Sequence, residues 1–392
     1  MTNAENRTIL KLSLATFAIM SFAGIFFLLP GWLARQGQMD LRQIGWIMGI
    51  FYVSTFLRPF VGWLVELVGF RTLYRASAGL CAAGVLAFGV FQGSFPALLV
   101  SRVAMGTGFS LFAVALTAYQ SLAFPRKGSG AAFALSSAAG ILPLLVVTPL
   151  AEWLVKRGSG FLFLFPLPLA ALLVAFMSAE FLPDLPWGSH PDRGSAPGLA
   201  ESTARLLKNR GSRAVVVSIT LFCMADALLL NLASLAAEKK VVVSGFFMAL
   251  AVTSFLTRVL GRSALDRIPG AKWVSSSNGI VALVLMVVAT PLVDSPSRLA
   301  ACGVLYGFAS GYGYPLHLAL IGETAPPELR GHLSSLFWFF MGLCYFVMPP
   351  LVGRLASLAG LPFAFQAVAF LVFVSAFFMH YRVWRPMAEN RE

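Results

Sequence analysis

The chain has 392 residues, of which 58% are hydrophobic and only 11% charged, with a formal net charge of +13. An ordinary soluble domain carries roughly 25% charged residues, so a water-soluble fold of this length would lack the polar side chains to cover itself. The four cysteines, Cys81, Cys223, Cys302 and Cys344, stand in separate apolar runs without metal-ligand spacing, and no nucleotide-binding loop is present, which argues against a metal centre, a cofactor and an ATP-driven motor.

Apolar runs of about 20 residues, the length a helix needs to cross about 30 Å of hydrocarbon, recur along the chain. They lie at 9–33, 43–65, 72–92, 96–120, 129–154, 161–182, 214–236, 243–264, 273–293, 298–321, 333–356 and 361–381. Helices are expected because lipid leaves each backbone polar group to be satisfied within its own segment, and these runs are too long and too evenly apolar for barrel strands. The first run is also too long for a cleaved signal segment, and no small-residue cleavage site follows it. With both termini placed in the cytoplasm, most of the 29 Lys and Arg fall in cytoplasmic segments, as the positive-inside rule asks. The net charge then reflects basic loops facing anionic lipid and not a nucleic-acid partner.

The expected fold class is therefore an all-α polytopic membrane protein with twelve transmembrane helices in two pseudo-symmetric six-helix bundles. The bundles are placed at 1–182 and 214–392. Residues 183–213, rich in Pro, Gly, Ser and basic side chains, are read as a flexible cytoplasmic linker. The other loops are short and hold no room for a catalytic domain, so no enzyme activity is expected.

A duplication supports that division. Arg58 precedes Glu66 as Arg258 precedes Asp266, 200 residues later, and Thr148-Pro149-Leu150 aligns with Pro349-Pro350-Leu351 at an offset of 201. Repeats of this kind in a membrane chain suggest two homologous bodies with a solute path at the repeat interface.

Few ionisable residues sit deep in the runs. Asp226 lies about 12 residues, hence about 18 Å, from the start of the seventh. A charge at mid-membrane costs at least about 2.5–3.5 kcal/mol, so such a residue tends to face water, pair with a counter-charge or take up a proton. Arg102 in the fourth run comes out at similar depth. It either meets a counter-charge or snorkels to the outer interface. In the tenth run Gly307, Gly311, Gly313 and Pro315 permit bending, and Tyr306, Tyr314 and His317 accompany them as solute-path candidates, as does Asn231 in the seventh. For each of these, ordinary interhelical packing is the competing reading.

Several motifs carry a family resemblance over essentially the whole chain. Gly62-Trp63-Leu64-Val65-Glu66-Leu67-Val68-Gly69-Phe70-Arg71 is similar to the loop signature G-x-L-x-D-R-x-G-R-[KR] of the major facilitator superfamily, with Glu for Asp and two basic positions lost; Asp266-Arg267 echoes it. Arg102-Val103-Ala104-Met105-Gly106-Thr107-Gly108 resembles that family's R-x-x-x-G-x-G pattern, and Gly307 to Pro315 with Pro326 to Gly331 resembles its twelve-helix efflux permeases. The helix-five segment G-x-x-x-G-P-x-x-G-G of proton antiporters is not kept: aligned on Pro149, Leu144, Thr148, Glu152 and Trp153 stand where the glycines belong.

The resemblance implies a monomeric secondary transporter of the inner membrane, working by alternating access and exporting a small organic or amphiphilic solute against protons. The alternative reading is a proton symporter or facilitator that takes up a small anion or sugar, with Arg102 as the anion's counter-charge. By the same resemblance, the first, fourth, seventh and tenth helices line a central crevice, so that Arg102 and Asp226 are expected to pair across it. Arg58, Gly62, Glu66, Gly69, Arg71, Arg258, Asp266 and Arg267 are expected to form cytoplasmic gating loops.

Overall fold

A computed structural model describes residues 3–60, 64, 67–123, 139–183, 199–261, 270–326 and 329–389. The chain divides into two compact units, Met1–Ser189 and His190–Glu392.

The first unit contains α1 (Asn3–Ile25), a 3-10 turn (Phe26–Leu28), α2 (Leu29–Gln36), α3 (Leu41–Ile50) and a 3-10 run (Phe51–Phe60). It continues with α4 (Phe70–Val90), α5 (Phe95–Ala123), α6 (Pro143–Lys156), α7 (Gly160–Leu164) and α8 (Pro166–Glu180). The second unit opens with α9 (Leu199–Lys208), α10 (Arg210–Asp226), α11 (Leu229–Glu238) and α12 (Ser244–Leu260). After these come α13 (Gly270–Val288), α14 (Pro296–Thr324), α15 (Arg330–Ala359) and α16 (Leu361–Met379), with a π-helical turn (His380–Trp384) leading to α17 (Arg385–Glu389). Within the stretch expected to be a flexible linker, residues 199–208 are thus helical.

The expectation of twelve membrane-crossing helices in two six-helix bundles is not met. Among the described residues eight helical segments are long and apolar enough to cross a membrane: Arg7–Gln36, Phe70–Val90, Phe95–Leu116, Ala139–Lys156, Arg210–Glu238, Gly270–Val288, His332–Ala359 and Leu361–Glu389. Two apolar helices, Pro166–Glu180 and Ser244–Leu260, are shorter. The difference has local causes. Past Ile50 the second apolar run leaves α-geometry for ten residues of 3-10 helix. Pro166 has no N–H to give, and the sixth run splits around Phe165 into five and fifteen residues. In α14, which is 29 residues long, Tyr306, Tyr312, Tyr314, Pro315 and the glycines among them dilute the hydropathy below that of a crossing segment.

The duplication is visible in the geometry of each unit taken by itself. In the first unit the opening helix changes to 3-10 at Phe26–Leu28. In the second, 201 positions on, α10 ends at Asp226 and the next turn tightens, with Leu228 N–H donating to Ala225 and Leu230 N–H to Ala227 in place of partners four residues back. Lys11 Nζ donates to the carbonyl of Phe181 just past α8 (2.8 Å), and Arg210 Nη2 donates to the carbonyl of Arg382 (3.0 Å), the donors and the acceptors each about 200 positions apart. A cation on the first long apolar helix of each unit thus binds a carbonyl near that unit's C-terminal end.

Close backbone approach explains the glycine motifs. A Cβ on Gly106 would fall 1.8 Å from the Phe51 carbonyl oxygen, and one on Gly108 would fall 2.5 Å from that of Ser77 on α4. Two residues apart on a helix means opposite faces, so the two glycines let α5 touch a different neighbour on each side. In the second unit Gly303 and Gly307 of α14 meet the carbonyls of Phe246 and Leu250 on α12 at 2.4 and 2.5 Å in the same construction. Without a hydrophobic drive between helices in lipid, such contact supplies the packing.

Candidate functional site

Asp226 is half-buried at the C-terminus of α10, in a segment that is otherwise apolar. Its two carboxylate oxygens accept hydrogen bonds from separate phenols, Oδ1 from Tyr306 of α14 and Oδ2 from Tyr345 of α15. Tyr306 is fully buried, packed edge-on against Phe246, whereas Tyr345 is half-buried. Two donors compensate part of the cost of holding the carboxylate out of bulk water, since hydrogen bonds to a charged group are worth about 1.5–3 kcal/mol each. Arg258 of α12 lies within electrostatic range of the same carboxylate.

Arg258, expected in a cytoplasmic gating loop, lies on α12 and is largely enclosed. Its guanidinium carbon sits 5.6 Å from the centroid of the Tyr314 ring, and its Nε is buried with no hydrogen-bond partner among the described residues. Tyr314 in turn packs on Phe337 at 5.9 Å and Trp338 at 6.4 Å between ring centroids. The second unit therefore brings together Asp226, Tyr306, Tyr314 and Arg258 from the sequence candidates and adds Tyr345 and Trp338, which the sequence reading passed over. Their signal was the seven-residue spacing on α15, which puts both on one helical face.

The remaining candidates lie elsewhere. Asn231 follows the tightened turn on α11, 3% exposed, with its Nδ2 lacking a partner among the described residues. His317 is fully buried, about 16 Å further along α14 than Tyr306. Its Nδ1 faces the Gly313 carbonyl at 2.8 Å and its Nε2 the Ser218 hydroxyl at 2.9 Å, while Asn278 Nδ2 donates to Ser218 Oγ at 3.2 Å. This cluster ties α10, α13 and α14 together, as interhelical polar contacts in membranes do.

Arg102 belongs to the first unit and does not snorkel, being 2% exposed. Its guanidinium carbon lies 5.1 Å from the Phe26 ring centroid and 4.4 Å from that of Phe51, and its Nε donates to the Ile47 carbonyl at 3.1 Å. A desolvated cation on an aromatic face is worth about 2 kcal/mol or more. The partners the structure gives Arg102 and Asp226 lie each within its own unit.

Of the loop residues, Gly62, Glu66, Asp266 and Arg267 lie outside the described residues. Arg58 is half-buried in the 3-10 run. Gly69 has φ +80°, a conformation that side-chain-bearing residues rarely adopt, and starts α4. Arg71 acts electrostatically on Glu180 at the end of α8. That carboxylate also binds Arg75, through Nε at 3.0 Å and through Nη2, and accepts from Tyr74. Neither Arg75 nor Glu180 was singled out in the sequence. With Arg75 exposed, solvent screens this ion pair.

Among the described residues no group of His, Cys, Asp and Glu is placed to hold a metal ion. No curated protein matches the sequence. Solved structures share the fold at low identity. The nucleoside transporter NupG is 14% identical, with 96% of this chain and 100% of that one covered and a TM-score of 0.77. A bacterial homolog to the human lysosomal transporter Spinster is 15% identical, with 98% of each chain covered and a TM-score of 0.70. The E. coli fucose:proton symporter FucP is 16% identical, covering 95% and 97%, at a TM-score of 0.60. The efflux subtype expected from the motifs finds no support in these likenesses. The family model described as Major Facilitator Superfamily matches residues 12–297 and 235–392, and with the helical membrane fold and the duplicated glycine contacts already in place, this chain belongs to that superfamily of transporters and is not an enzyme.

Proposed function

We propose that the chain is a proton-coupled secondary transporter that takes up a small polar solute, with Asp226 as the coupling carboxylate. The observation that carries this reading is the half-buried Asp226 held by Tyr306 and Tyr345 beside Arg258, on four helices and next to the break between α10 and α11. A carboxylate with two phenol donors and a nearby guanidinium holds a proton or a negative charge with little rearrangement. Discontinuous helices recur at coupling sites because freed backbone groups and a buried charge meet there.

Uptake replaces the export expected from the motifs. The similar folds include a protein described as a fucose:proton symporter and another as a nucleoside transporter. The missing glycine-rich segment around Pro149 points the same way. In this account the two compact units, joined through 183–213, alternate access to the solute by moving as bodies, and the protein sits as a monomer in the inner membrane with both termini cytoplasmic. Arg58 and Arg71 act at the cytoplasmic gate together with Glu66, Asp266 and Arg267, while Arg258 is assigned to the coupling site.

The test is solute accumulation by proteoliposomes under an imposed gradient, acidic outside. Wild-type protein accumulates solute only with the gradient, and Asp226→Asn keeps solute exchange across the bilayer but loses accumulation. Undiminished gradient-driven accumulation in Asp226→Asn would remove the coupling role.

A further inference from the structure

The helices that hold Asp226 also present an aromatic face whose chemistry narrows the solute. On α15, Tyr345 and Trp338 are seven residues apart, on one side of the helix and about 10 Å along it. Tyr345 meets the carboxylate; Trp338 is 38% exposed and packs edge-on against Tyr314, whose ring carries Arg258. Asp226 and Tyr345 are half-buried, and a carboxylate that is not sealed off in an apolar segment tends to face water rather than hydrocarbon. One continuous strip thus runs from an acceptor, Asp226, past a phenol to an exposed indole, with a guanidinium at its side.

The charges decide what that strip binds. An aromatic enclosure with one carboxylate suits an organic cation, but here Arg258 already occupies the Tyr314 ring and acts on the same carboxylate. An anion is disfavoured in turn, because Asp226 opposes Arg258, the guanidinium that acts on it among the described residues. The net charge is close to zero. What is left is hydrogen-bonding capacity: the carboxylate has lone pairs beyond the two phenol bonds, Arg258 Nε is without a partner among the described residues, and the half-buried Tyr345 hydroxyl is exchangeable where the fully buried Tyr306 is not.

Building on the proposed transport function, we infer that this strip is the solute site and that its ligand is a neutral ring-shaped polyol. Adjacent ring hydroxyls engage Asp226 and Arg258, and a flat apolar ring face lies on Trp338. Hexoses and ribonucleosides both have this chemistry. Trp338 acts as the specificity platform, because a planar face rewards rings over open chains; such stacking changes affinity by about tenfold or more per ring.

The experiment is uptake into proteoliposomes under an acid-outside gradient, with five probes: a hexose, a ribonucleoside, the open-chain polyol mannitol, succinate and tetraphenylphosphonium. Accumulation of the hexose or of the ribonucleoside is expected, and which of the two distinguishes the source of the ring. For the accepted probe, Trp338→Ala raises KM about tenfold with a smaller change in kcat, and Trp338→Phe restores most of it. Mannitol carried as well as the ring compounds, or a KM unmoved in Trp338→Ala, overturns the inference. Accumulation of succinate or tetraphenylphosphonium alone overturns it too while leaving proton coupling intact. Accumulation of none of the five takes the transport reading down with it.

Discussion

Replacing Gly106 by Ala probes the closest backbone approach in the first unit. The new Cβ would lie 1.8 Å from the Phe51 oxygen and 2.6 Å from its carbonyl carbon, where ordinary contacts begin at 3.4 Å, so the 3-10 run has to retreat by about 1.6 Å. Overpacking of this kind costs about 1–3 kcal/mol. The retreat also draws the Phe51 ring away from the Arg102 guanidinium, now 4.4 Å from its centroid, at a further cost of about 0.5–2 kcal/mol. Alanine returns about 1 kcal/mol through helix propensity, and a net loss of about 2 kcal/mol is left. At about 2–4 °C per kcal/mol for a unit of this size, Tm falls by about 4–8 °C. Thermal unfolding in detergent, followed by reaction of a thiol dye with the buried cysteines, reads it directly. Gly79→Ala is the control: it is also helical, but nothing lies within 4 Å of its Cβ, and it should leave Tm unchanged or raise it. If Gly106→Ala melts no lower than wild type, the close-approach account of the glycine motif is wrong.

Three further outcomes follow from single contacts. Tyr306→Phe removes one of two donors to Asp226, worth about 1.5–3 kcal/mol, and should lower gradient-driven accumulation about tenfold or more while exchange persists; unaltered accumulation would show that the phenol does no coupling. His317→Ala takes the partner from Ser218 and opens a void among α10, α13 and α14, costing about 2–4 kcal/mol, seen as a Tm loss with KM preserved. Lys239, just past α11, donates to the carbonyls of Val288 (2.6 Å), Thr290 (2.5 Å) and Val293 (3.2 Å), and burial lowers its pKa from 10.5. The unfolded chain then binds more protons between the lowered folded pKa and the ordinary one. Stability therefore rises with pH through that window and is lost again as pH falls through the folded pKa. Lys239→Met should abolish this slope in the pH dependence of Tm, and a slope unchanged in the variant would assign it to another group.

The duplication was legible in the sequence because it is written in residue identity. Pro149 and Pro350, Arg58 and Arg258, and Gly106 and Gly307 all stand about 200 positions apart, and the structure repeats its helix breaks and helix-end captures at the same interval. Asp226 was legible as a candidate because a carboxylate stands out in an apolar run, and Tyr306 only as a companion of the glycines of α14. Their placement in one site depended on which faces of α10 and α14 meet, and hydropathy does not encode that. The same limit explains the helix count. Composition scores how apolar a run is, whereas Phe51–Phe60 and Phe165 interrupt the hydrogen-bond ladder without changing composition at all. Arg102's stacking between Phe26 and Phe51 was not legible, since snorkelling and stacking need the same long side chain and differ only in which neighbours the fold supplies. Tyr345 went unnoticed because a tyrosine in a phenylalanine-rich helix looks like packing until its hydroxyl is seen on the carboxylate.

The central claim is that Asp226 binds and releases a proton while its phenols hold it in place. Infrared difference spectra of the purified protein in lipid, taken between neutral and acidic pH, read this without any solute. A protonated-carboxyl stretch should appear on acidification, shift in frequency in Tyr306→Phe and be absent from Asp226→Asn. The same band at full amplitude in Asp226→Asn would contradict the account.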